Sequence, residues 1–470
     1  MQLNQRPLGR VSQALGLLTA NLFVATGLHA QEAPSAPQYP SPAAAGSTVN
    51  DDTQSDLGLT RIDSAVLFYQ EAGGRVKATE PVVSATLNAS NGDALSMKFT
   101  SDTLTGATPN GAMPWKAPQT FITPAHRLGT TSTVTSASGG STIVTIPGTG
   151  TIARQYVVAP NTLPVDPGFK DQRFAIDAGY SMLFDPNTHL SVGGGASTER
   201  DYSAYSVNAG VSEDFNQKRT TASLAAEFEY DISRPYFGTP RPFTVMSGDP
   251  KGGNASKTVS SLVVGVTQVI NRYWLAQLSY SVGSSNGYQT DPYRVISVVD
   301  GATGGPTAYL YENRPNARLR QSLYFGNKLA LGPTFADVSA RVYQDSWGVR
   351  SITGEIDERV PITSRLYVEP QVRYYTQTAA SFFRNYLIAG QPLPKSASSD
   401  SRLGQFNAIT GGVKFGFAVT PNSELYLQTE YYQQSGNNHP AGAVGDLATE
   451  NLFSGVSATS VIFGYTFAFY

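Results

Sequence analysis

Charged residues in the second half of the chain fall on every second position of segments in which apolar and polar residues alternate. Within 349–361, Glu355, Asp357 and Arg359 alternate with Ile356 and Val360. Side chains of a β-strand point alternately to its two faces, so these charges share one face and the aliphatic residues share the other. The spacing predicts a strand with a polar wall on one side and an apolar wall on the other.

The same parity selects a larger set of candidate functional side chains, which we expect to face a barrel lumen: Arg318, Arg320, Asp337, Arg341, Asp345, Glu355, Asp357, Arg359, Glu369, Arg373, Lys414 and Glu430. Acidic and basic groups are mixed in this set, which favours a network of ion pairs that stiffens the wall over a ladder that binds a substrate. Both interpretations stay open, although a selective pore more typically shows a ring of one sign.

No other residues are spaced for catalysis or for metal binding. The chain has no Cys and 4 His, which excludes thiolate metal sites, iron–sulfur clusters and covalently attached haem. His126 and His439 lie in predicted loops and His189 lies at a strand end, without any paired ligand spacing. A Ser–His dyad on a barrel wall would need a His within a strand near the external rim. We therefore expect no catalytic residue, no metal and no cofactor.

The elements that must position the candidates are about sixteen alternating segments, near 60–71, 76–89, 94–106, 172–184, 188–198, 202–215, 219–232, 258–270, 273–285, 317–330, 334–346, 349–361, 366–379, 405–419, 424–434 and 456–470. A tilted β-strand crosses a bilayer in about 9–11 residues, which these lengths allow. The alternation predicts that each segment is a membrane-crossing strand.

The connections between these strands are by turns short and long. Tight turns rich in Asn, Gly, Pro and Ser, such as 186–187 and 421–423, follow even-numbered strands. Long loops follow odd-numbered strands, at 107–171, 233–257, 286–316, 380–404 and 435–455. Outer-membrane barrels show this asymmetry, with short periplasmic turns and long external loops. Fourteen or eighteen strands remain alternatives, because 131–135 and 142–146 have the pattern of an additional hairpin.

Composition agrees with a wall that faces lipid. The chain is 40% hydrophobic and 14% charged, and past the first segment no apolar run reaches the roughly 18 residues of a membrane-spanning helix. A soluble β-sandwich would alternate in the same way, but its polar face would look outward and its loops would not sort by length. We predict an all-β fold, a transmembrane antiparallel up-and-down β-barrel. The net charge of −2 gives no electrostatic case for nucleic acid.

Three regions follow from these patterns. Residues 1–30 have a positive start, a short apolar core and a small-residue cleavage site, which predicts a secretory signal peptide. Residues 31–56 are rich in Pro, Ala and Ser and predict a flexible periplasmic tail. Residues 57–470 are the predicted barrel. The aromatic row of the last strand, Phe463, Tyr465, Phe467 and Phe469, is a candidate signal for the barrel assembly machinery.

Several stretches resemble a known bacterial family. They are Tyr-Gln-Glu-Ala at 69–72, Asp-Thr-Leu-Thr-Gly-Ala-Thr-Pro-Asn-Gly at 102–111, Tyr-Gln-Asp-Ser-Trp-Gly at 343–348 and Glu-Pro-Gln-Val-Arg-Tyr-Tyr at 369–375. Over about 60–470 the chain is similar to the family filed as domain of unknown function 3570. The resemblance implies a Gram-negative outer-membrane protein without an assigned activity, in an envelope redox context.

Two functions follow as expectations. The first is a porin-like channel in the outer membrane of a Gram-negative bacterium that passes an unidentified small solute, with the connection 107–171 long enough to fold inward as a constriction. The alternative is a non-conducting barrel that docks periplasmic, redox-related proteins. An outer-membrane hydrolase is disfavoured for want of a placed His, so we expect no enzyme. The expected partners are outer-membrane lipid, the barrel assembly machinery and a periplasmic protein, without nucleic acid.

Overall fold

The computed structural model describes residues 58–124, 134–136, 139–145, 152–236, 238–246 and 252–469. The predicted signal peptide, the predicted tail and His126 lie outside these residues. The described helices are three short 3₁₀ turns, at Ala72–Gly74, Ser401–Leu403 and Gly445–Ala448. No helix in the described ranges has the length and apolar character needed to span a membrane.

Strands make up most of the described chain. The first twelve are β1 (Gly58–Glu71), β2 (Lys77–Asn88), β3 (Ala94–Pro109), β4 (Gln119–Pro124), β5 (Val134–Ser136), β6 (Gly139–Thr145), β7 (Ile152–Val158), β8 (Val165–Asp185), β9 (Thr188–Thr198), β10 (Tyr202–Phe215), β11 (Thr220–Ser233) and β12 (Ala255–Asn271). The others are β13 (Trp274–Gly287), β14 (Val295–Val299), β15 (Pro306–Tyr311), β16 (Ala317–Leu331), β17 (Thr334–Asp345), β18 (Arg350–Pro361), β19 (Leu366–Gln377), β20 (Tyr386–Ile388), β21 (Phe406–Thr420), β22 (Ser423–Gly436) and β23 (Ser457–Ala468).

Sixteen of these strands close into an antiparallel barrel. Around the wall the order is β1, β2, β3, β8, β9, β10, β11, β12, β13, β16, β17, β18, β19, β21, β22 and β23. The wall is sealed where β1 pairs with β23, from Arg61 opposite Ala468 to Glu71 opposite Ala458. The prediction of sixteen strands in an up-and-down barrel is confirmed.

The candidate additional hairpin forms, but outside the wall. β5 and β6 pair with each other and belong to a four-stranded sheet of order β4, β7, β6 and β5. They add no barrel strand, so neither fourteen nor eighteen is correct. The flanking strands are also longer than expected, because β3 runs to Pro109 and β8 begins at Val165. The connection predicted at 107–171 therefore begins later, ends earlier and contains a sheet of its own.

Turn and loop lengths sort between the two ends of the barrel. At one end, which we name the turn end, successive strands are joined by tight connections such as 186–187, 332–333 and 421–422. At the other, the loop end, the connections include 110–164, 288–316 and 378–405. In outer-membrane barrels the short turns are periplasmic and the long loops external.

The two faces of the wall have opposite chemistry. Ile352, Ile356 and Val372 point outward and are 55%, 56% and 55% exposed in the isolated chain. The residues between them point inward, where carboxylates accept hydrogen bonds from guanidinium and amide groups. A barrel with an apolar outside removes that surface from water by placing it in lipid. The wall has the inside-out polarity that strand parity predicts, and not the apolar interior of a soluble sandwich.

Candidate functional site

Ion pairs occupy the lumen wall near the loop end. Arg318 and Asp345 approach to 2.7 Å across neighbouring strands β16 and β17. The Arg318 guanidinium also lies 4.3 Å from the Trp347 ring centroid, and the Tyr343 hydroxyl donates to Asp345 at 2.9 Å. Arg320 stands directly opposite Asp345 in the strand register. Two arginines of the predicted set, Arg318 and Arg320, thereby lie next to a third member of the set, Asp345.

A second group of candidates lies toward the turn end. Lys328 Nζ is 2.8 Å from Asp337 Oδ1, and Asp337 faces Asp357 in the register. Arg359 Nε is 3.0 Å from Glu369 Oε2. Salt bridges of this kind, between solvated partners, each contribute little to stability, about 0–1 kcal/mol.

Lysine and tyrosine complete this second group. Lys414 faces Glu369 in the register, and its Nζ lies 4.7 Å from the Tyr426 ring centroid. The Tyr367 ring lies beneath the Arg359 guanidinium at 3.8 Å, and its hydroxyl donates to Glu424 at 2.6 Å. Cation and ring therefore stack repeatedly on this part of the wall, which holds the basic side chains in place.

Neutral side chains contact several of the remaining candidates. Gln371 Nε2 donates to Glu355 at 2.7 Å, and Gln428 Nε2 donates to Glu430 at 2.7 Å. Arg341 lies 5.6 Å from the Tyr324 ring centroid. Arg373 faces Thr410 on one side and Glu355 on the other in the register. Of the two interpretations left open by the sequence, the ion-pair network describes part of the wall, and within the described residues Arg341 and Arg373 lie outside it.

Five long connections meet above the lumen at the loop end. We name their described residues, within 110–164, 234–254, 288–316, 378–405 and 437–456, the cap. Ser399 Oγ donates to Gly111 O at 2.7 Å and to Val295 O at 3.0 Å. These three residues follow the third, ninth and thirteenth strands of the sixteen around the wall. Because their attachment points surround the barrel axis, the connections that join there span the mouth.

The cap has an apolar core of its own. Phe121 and Tyr156 pack with Val295 and Tyr311, and a second cluster joins Met113, Val299 and Leu447 from three different connections. β14 also pairs in parallel with β20, with Ser297 opposite Tyr386. Burying several large side chains at about 1.5–3 kcal/mol each makes the cap a packed layer.

A buried network of charges crosses the cap. Asp400 is 1% exposed and accepts from Arg314 Nη2 at 2.8 Å and from Arg402 Nε at 3.0 Å. Arg314 Nε also donates to Glu312 at 2.7 Å, and Ser398 Oγ donates to Glu312 as well. Arg294 Nε lies 3.5 Å from Asp400. The network ties the connection after β13 to the connection after β19.

The pKa values of the two buried carboxyl groups, Asp400 and Glu312, shift in opposite directions. Burial alone would raise the pKa of Asp400, but the guanidinium groups of Arg294, Arg402 and Arg314 outweigh it and hold the pKa well below its usual range. For Glu312 burial dominates and raises the pKa, against the lowering effect of Arg314. Sequence reasoning missed this network, because strand parity selects residues in strands and these charges lie in loops. The two connections have about the same share of charged residues as the whole chain, so no sequence signal marks these charges.

An acidic cluster lies at the loop end of the wall, outside the predicted set. Carboxylate oxygens of Asp171, Glu199 and Asp201 lie within 4.8 Å of one another. The Tyr293 hydroxyl, from the cap, donates to Asp201. Burial and the neighbouring Asp171 raise the pKa of Glu199 to about 9. Such a cluster is able to share a proton, and carboxylate oxygens are also the ligand type of hard divalent cations.

Histidine plays no part in either arrangement within the described residues. His189 faces Ser212 across β9 and β10 at the turn end, and the backbone N–H of His439 donates to Asn437 Oδ1 at 3.2 Å in the cap. Neither imidazole is hydrogen-bonded to a serine hydroxyl within the described residues, and a Ser–His dyad requires that bond.

Comparisons with known proteins give a family and a set of distant barrels. The family described as "Protein of unknown function (DUF3570)" matches residues 33–467. No curated protein matches the chain. Among solved structures, a point mutant of the ferric enterobactin receptor PfeA from Pseudomonas aeruginosa is 12% identical with a TM-score of 0.39, over 87% of this chain and 60% of that one. The chain thus spans three-fifths of that receptor's length.

Two solved structures of similar length also match. The CymD monoaromatic hydrocarbon channel is 9% identical with a TM-score of 0.35, over 88% of both chains. OccK2 of Pseudomonas aeruginosa, solved in complex with glucuronate, is 9% identical with a TM-score of 0.36, over 88% of this chain and 98% of that one. All three likenesses are distant, and the barrel architecture stands on the chain's own strand register.

Proposed function

We propose, on the premise that the chain belongs to the family of proteins of unknown function DUF3570, that it is an outer-membrane channel for a small polar solute. In this proposal the barrel stands in the outer membrane of a Gram-negative bacterium, with lipid around its apolar wall and the cap outside. The assembly machinery inserts it, recognising the aromatic row of β23. The channel carries out no chemical reaction.

The observation that supports conduction is the solvated, charged lumen wall. Lys328 and Asp337 have side chains that are 53% and 48% exposed, although both point inward. Charged groups of this kind need water around them, since an unsolvated ion in an apolar interior is very unfavourable. Barrels of sixteen strands are wide enough to leave an aqueous interior. A water-filled lumen lined by fixed charges is the physical requirement for passing polar solutes.

The cap gives this channel its restriction. Its connections come from several sides of the wall and are joined over the axis through Ser399 and the Asp400 network. We infer that solutes cross the loop end through gaps between these connections, or when the cap loosens. Conductance is then governed by the cap, and not by the width of the sixteen-stranded wall.

Single-channel recording with Asp400→Asn tests this proposal. The substitution removes the carboxylate that Arg294, Arg314 and Arg402 share, and leaving buried charges without their partner costs about 3–5 kcal/mol. We expect purified wild-type protein to show small, brief openings in planar bilayers and Asp400→Asn to show larger or longer ones.

Asp300→Asn is the matched control, because Asp300 is a partly exposed cap residue whose carboxylate accepts from Thr303 and Ala302 within its own turn. It should leave the conductance unchanged. Inserted barrels that remain silent both as wild type and as Asp400→Asn would contradict the channel.

The second candidate function is a non-conducting barrel that docks periplasmic, redox-related proteins. The packed apolar core of the cap favours it, since Phe121, Tyr156, Val295 and Tyr311 make a covering layer rather than a loose constriction. In this case the partner binds at the turn end and the predicted tail 31–56 contributes to recognition. Pull-down from a periplasmic extract with and without residues 31–56 tests docking, and retention that is independent of the tail would contradict this role for it.

A further inference from the structure

We propose that Arg341 and Arg373 form a lumen site that binds small organic anions through their carboxylate groups. The inference deepens the proposed channel function, on which it rests, by naming the class of solute that the wall favours. The basic residues of the lumen wall differ in whether they have a carboxylate partner. Most of them have a carboxylate partner, and these two have none among the described residues.

The pairing is clear for the neighbours. Arg318 lies 2.7 Å from Asp345, Lys328 lies 2.8 Å from Asp337, and Arg359 lies 3.0 Å from Glu369. Arg341 and Arg373 make no ion pair with any residue in the part of the chain that the structure describes. Two guanidinium groups of the lumen therefore retain their capacity to bind an anion.

The register places these two groups side by side. Arg341 is on β17 and Arg373 is on β19, with β18 between them. Arg341 faces Thr353 and Arg373 faces Glu355 in the register, which puts them two residues apart along the strands. Strands are spaced by about 4.8 Å, so the backbones are roughly 10 Å apart across the wall, and two extended arginine side chains can reach one small anion from both sides.

The surroundings hold the guanidinium groups ready for an anion. Arg341 Cζ lies 5.6 Å from the Tyr324 ring centroid, a cation–π contact that helps to hold the guanidinium against the wall. Arg373 Nε is buried and donates no hydrogen bond within the described structure. A buried donor without an acceptor is unfavourable by about 1–3 kcal/mol. An incoming carboxylate supplies that acceptor, in the two-pronged geometry that guanidinium groups prefer.

One carboxylate, that of Glu355, lies close enough to compete. It faces Arg373 across β18 and β19, but it accepts its hydrogen bond from Gln371 Nε2 at 2.7 Å. The local charge of the three residues is therefore positive overall, and Glu355 weakens anion binding without abolishing it. Removing the charge of Glu355, on the intervening strand β18, should therefore strengthen anion binding.

Equilibrium dialysis with radiolabelled succinate tests the site, using the purified full-length protein in detergent at low ionic strength. Arg341→Gln and Arg373→Gln should each weaken binding by about tenfold, the equivalent of one charge-assisted hydrogen bond. Glu355→Gln should tighten binding. Arg359→Gln is the matched control, because it removes the same charge from the same wall but from a residue already paired with Glu369, and it should change binding by less than about threefold.

Binding is measured without conduction, so failure of this site and failure of the channel are distinguishable. A silent barrel that still binds succinate through Arg341 and Arg373 supports the site and counts against the channel. Wild-type protein that binds no succinate would overturn the site, as would equal losses in Arg341→Gln and Arg359→Gln. Heat-dependent migration of each variant on gels establishes that the barrel is folded, so that a loss of binding reports on the side chain.

Discussion

Strand parity is sufficient to predict which way an individual charge points, but not which partner it finds. The alternation in their own segments predicts that Arg359 and Glu369 both face the lumen, and the structure brings Arg359 Nε to 3.0 Å from Glu369 Oε2. Their contact depends on the register between β18 and β19, which the alternation within one segment does not determine. Glu199 shows the same limit at the loop end, because its neighbour Asp171 comes from a different strand.

Glu199 gives a prediction of pH dependence. Burial and Asp171 raise its pKa to about 9, well above the value near 4.3 of an unfolded chain. The folded state thus binds a proton that the unfolded state releases between these values, and its stability falls as pH rises from about 5 toward 9. Glu199→Gln cannot ionise, so it should lose this part of the pH dependence. At pH 9 it should exceed the wild type by roughly 1–3 kcal/mol, less than the full linkage value because Glu199 is only partly buried and solvent screens its charge.

Urea unfolding followed by tryptophan fluorescence at pH 5, 7 and 9 measures this difference. Glu213→Gln, at an exposed position near the turn end of β10, serves as the control and should keep the wild-type slope. Identical pH slopes for Glu199→Gln and the wild type would show that the cluster does not hold a proton.

The barrel strands are predictable because their pattern is local, whereas the cap strands are not. Each wall strand carries its own alternation, and turn signals such as the Pro-Asn pair at 186–187 separate successive strands. β14 and β20 are short, and they pair in parallel over a separation from Ser297 to Tyr386. Three-residue or five-residue segments have no recognisable period, and their pairing is created by the packing of the cap. Alternation and turn residues therefore predict long loops there, without the sheets that those loops contain.

A glycine in the wall leaves room for a tyrosine ring, which gives a test at the level of the strand. A Cβ at Gly464 would lie 2.2 Å from Cζ of Tyr426 on the adjacent strand, and Tyr426 is buried against Leu67 and Ile462. Gly464→Ala should displace this ring and lower the free energy of unfolding by roughly 1–3 kcal/mol, as overpacking does elsewhere.

Unfolding of the detergent-refolded barrel in urea measures the effect. Gly411→Ala is the matched control, because no heavy atom lies within 4 Å of a Cβ built there. It should change stability by much less. An equal response of the two variants would mean that the space at Gly464 is not needed by Tyr426.

Viewed as a whole, the molecule combines two layers of opposite construction. The wall buries its polar side chains inward and presents aliphatic residues outward, while the cap buries an apolar core as a soluble protein does. Composition reflects both, since 40% hydrophobic residues are distributed between a lipid-facing surface and the cap. The wall is predictable from the sequence, because strand parity and loop length both indicate a membrane-spanning barrel. The cap depends on contacts between distant connections, which no local pattern encodes.

Reversing the polarity of neighbouring positions tests the membrane placement. Ile356 is 56% exposed on the outer face, and Asp357 points into the lumen. Ile356→Arg should destabilise the barrel in phospholipid vesicles by about 2–4 kcal/mol, because an arginine then faces the hydrocarbon. Asp357→Arg should be tolerated, since its side chain stays in the solvated lumen.

Reversible guanidinium titration of vesicle-inserted protein provides the measurement. Equal tolerance of arginine at positions 356 and 357 would mean that the outer face is not in contact with lipid.

The seam between β1 and β23 constrains how the molecule can be made. Arg61 pairs with Ala468, so the outer hydrogen-bonding edge of β1 stays unpaired until β23 has been synthesised. Until then the growing sheet has two open edges, each able to pair with another chain. Every intermediate between the ribosome and the membrane therefore carries an aggregation hazard, and protection by chaperones has to last until the final strand arrives.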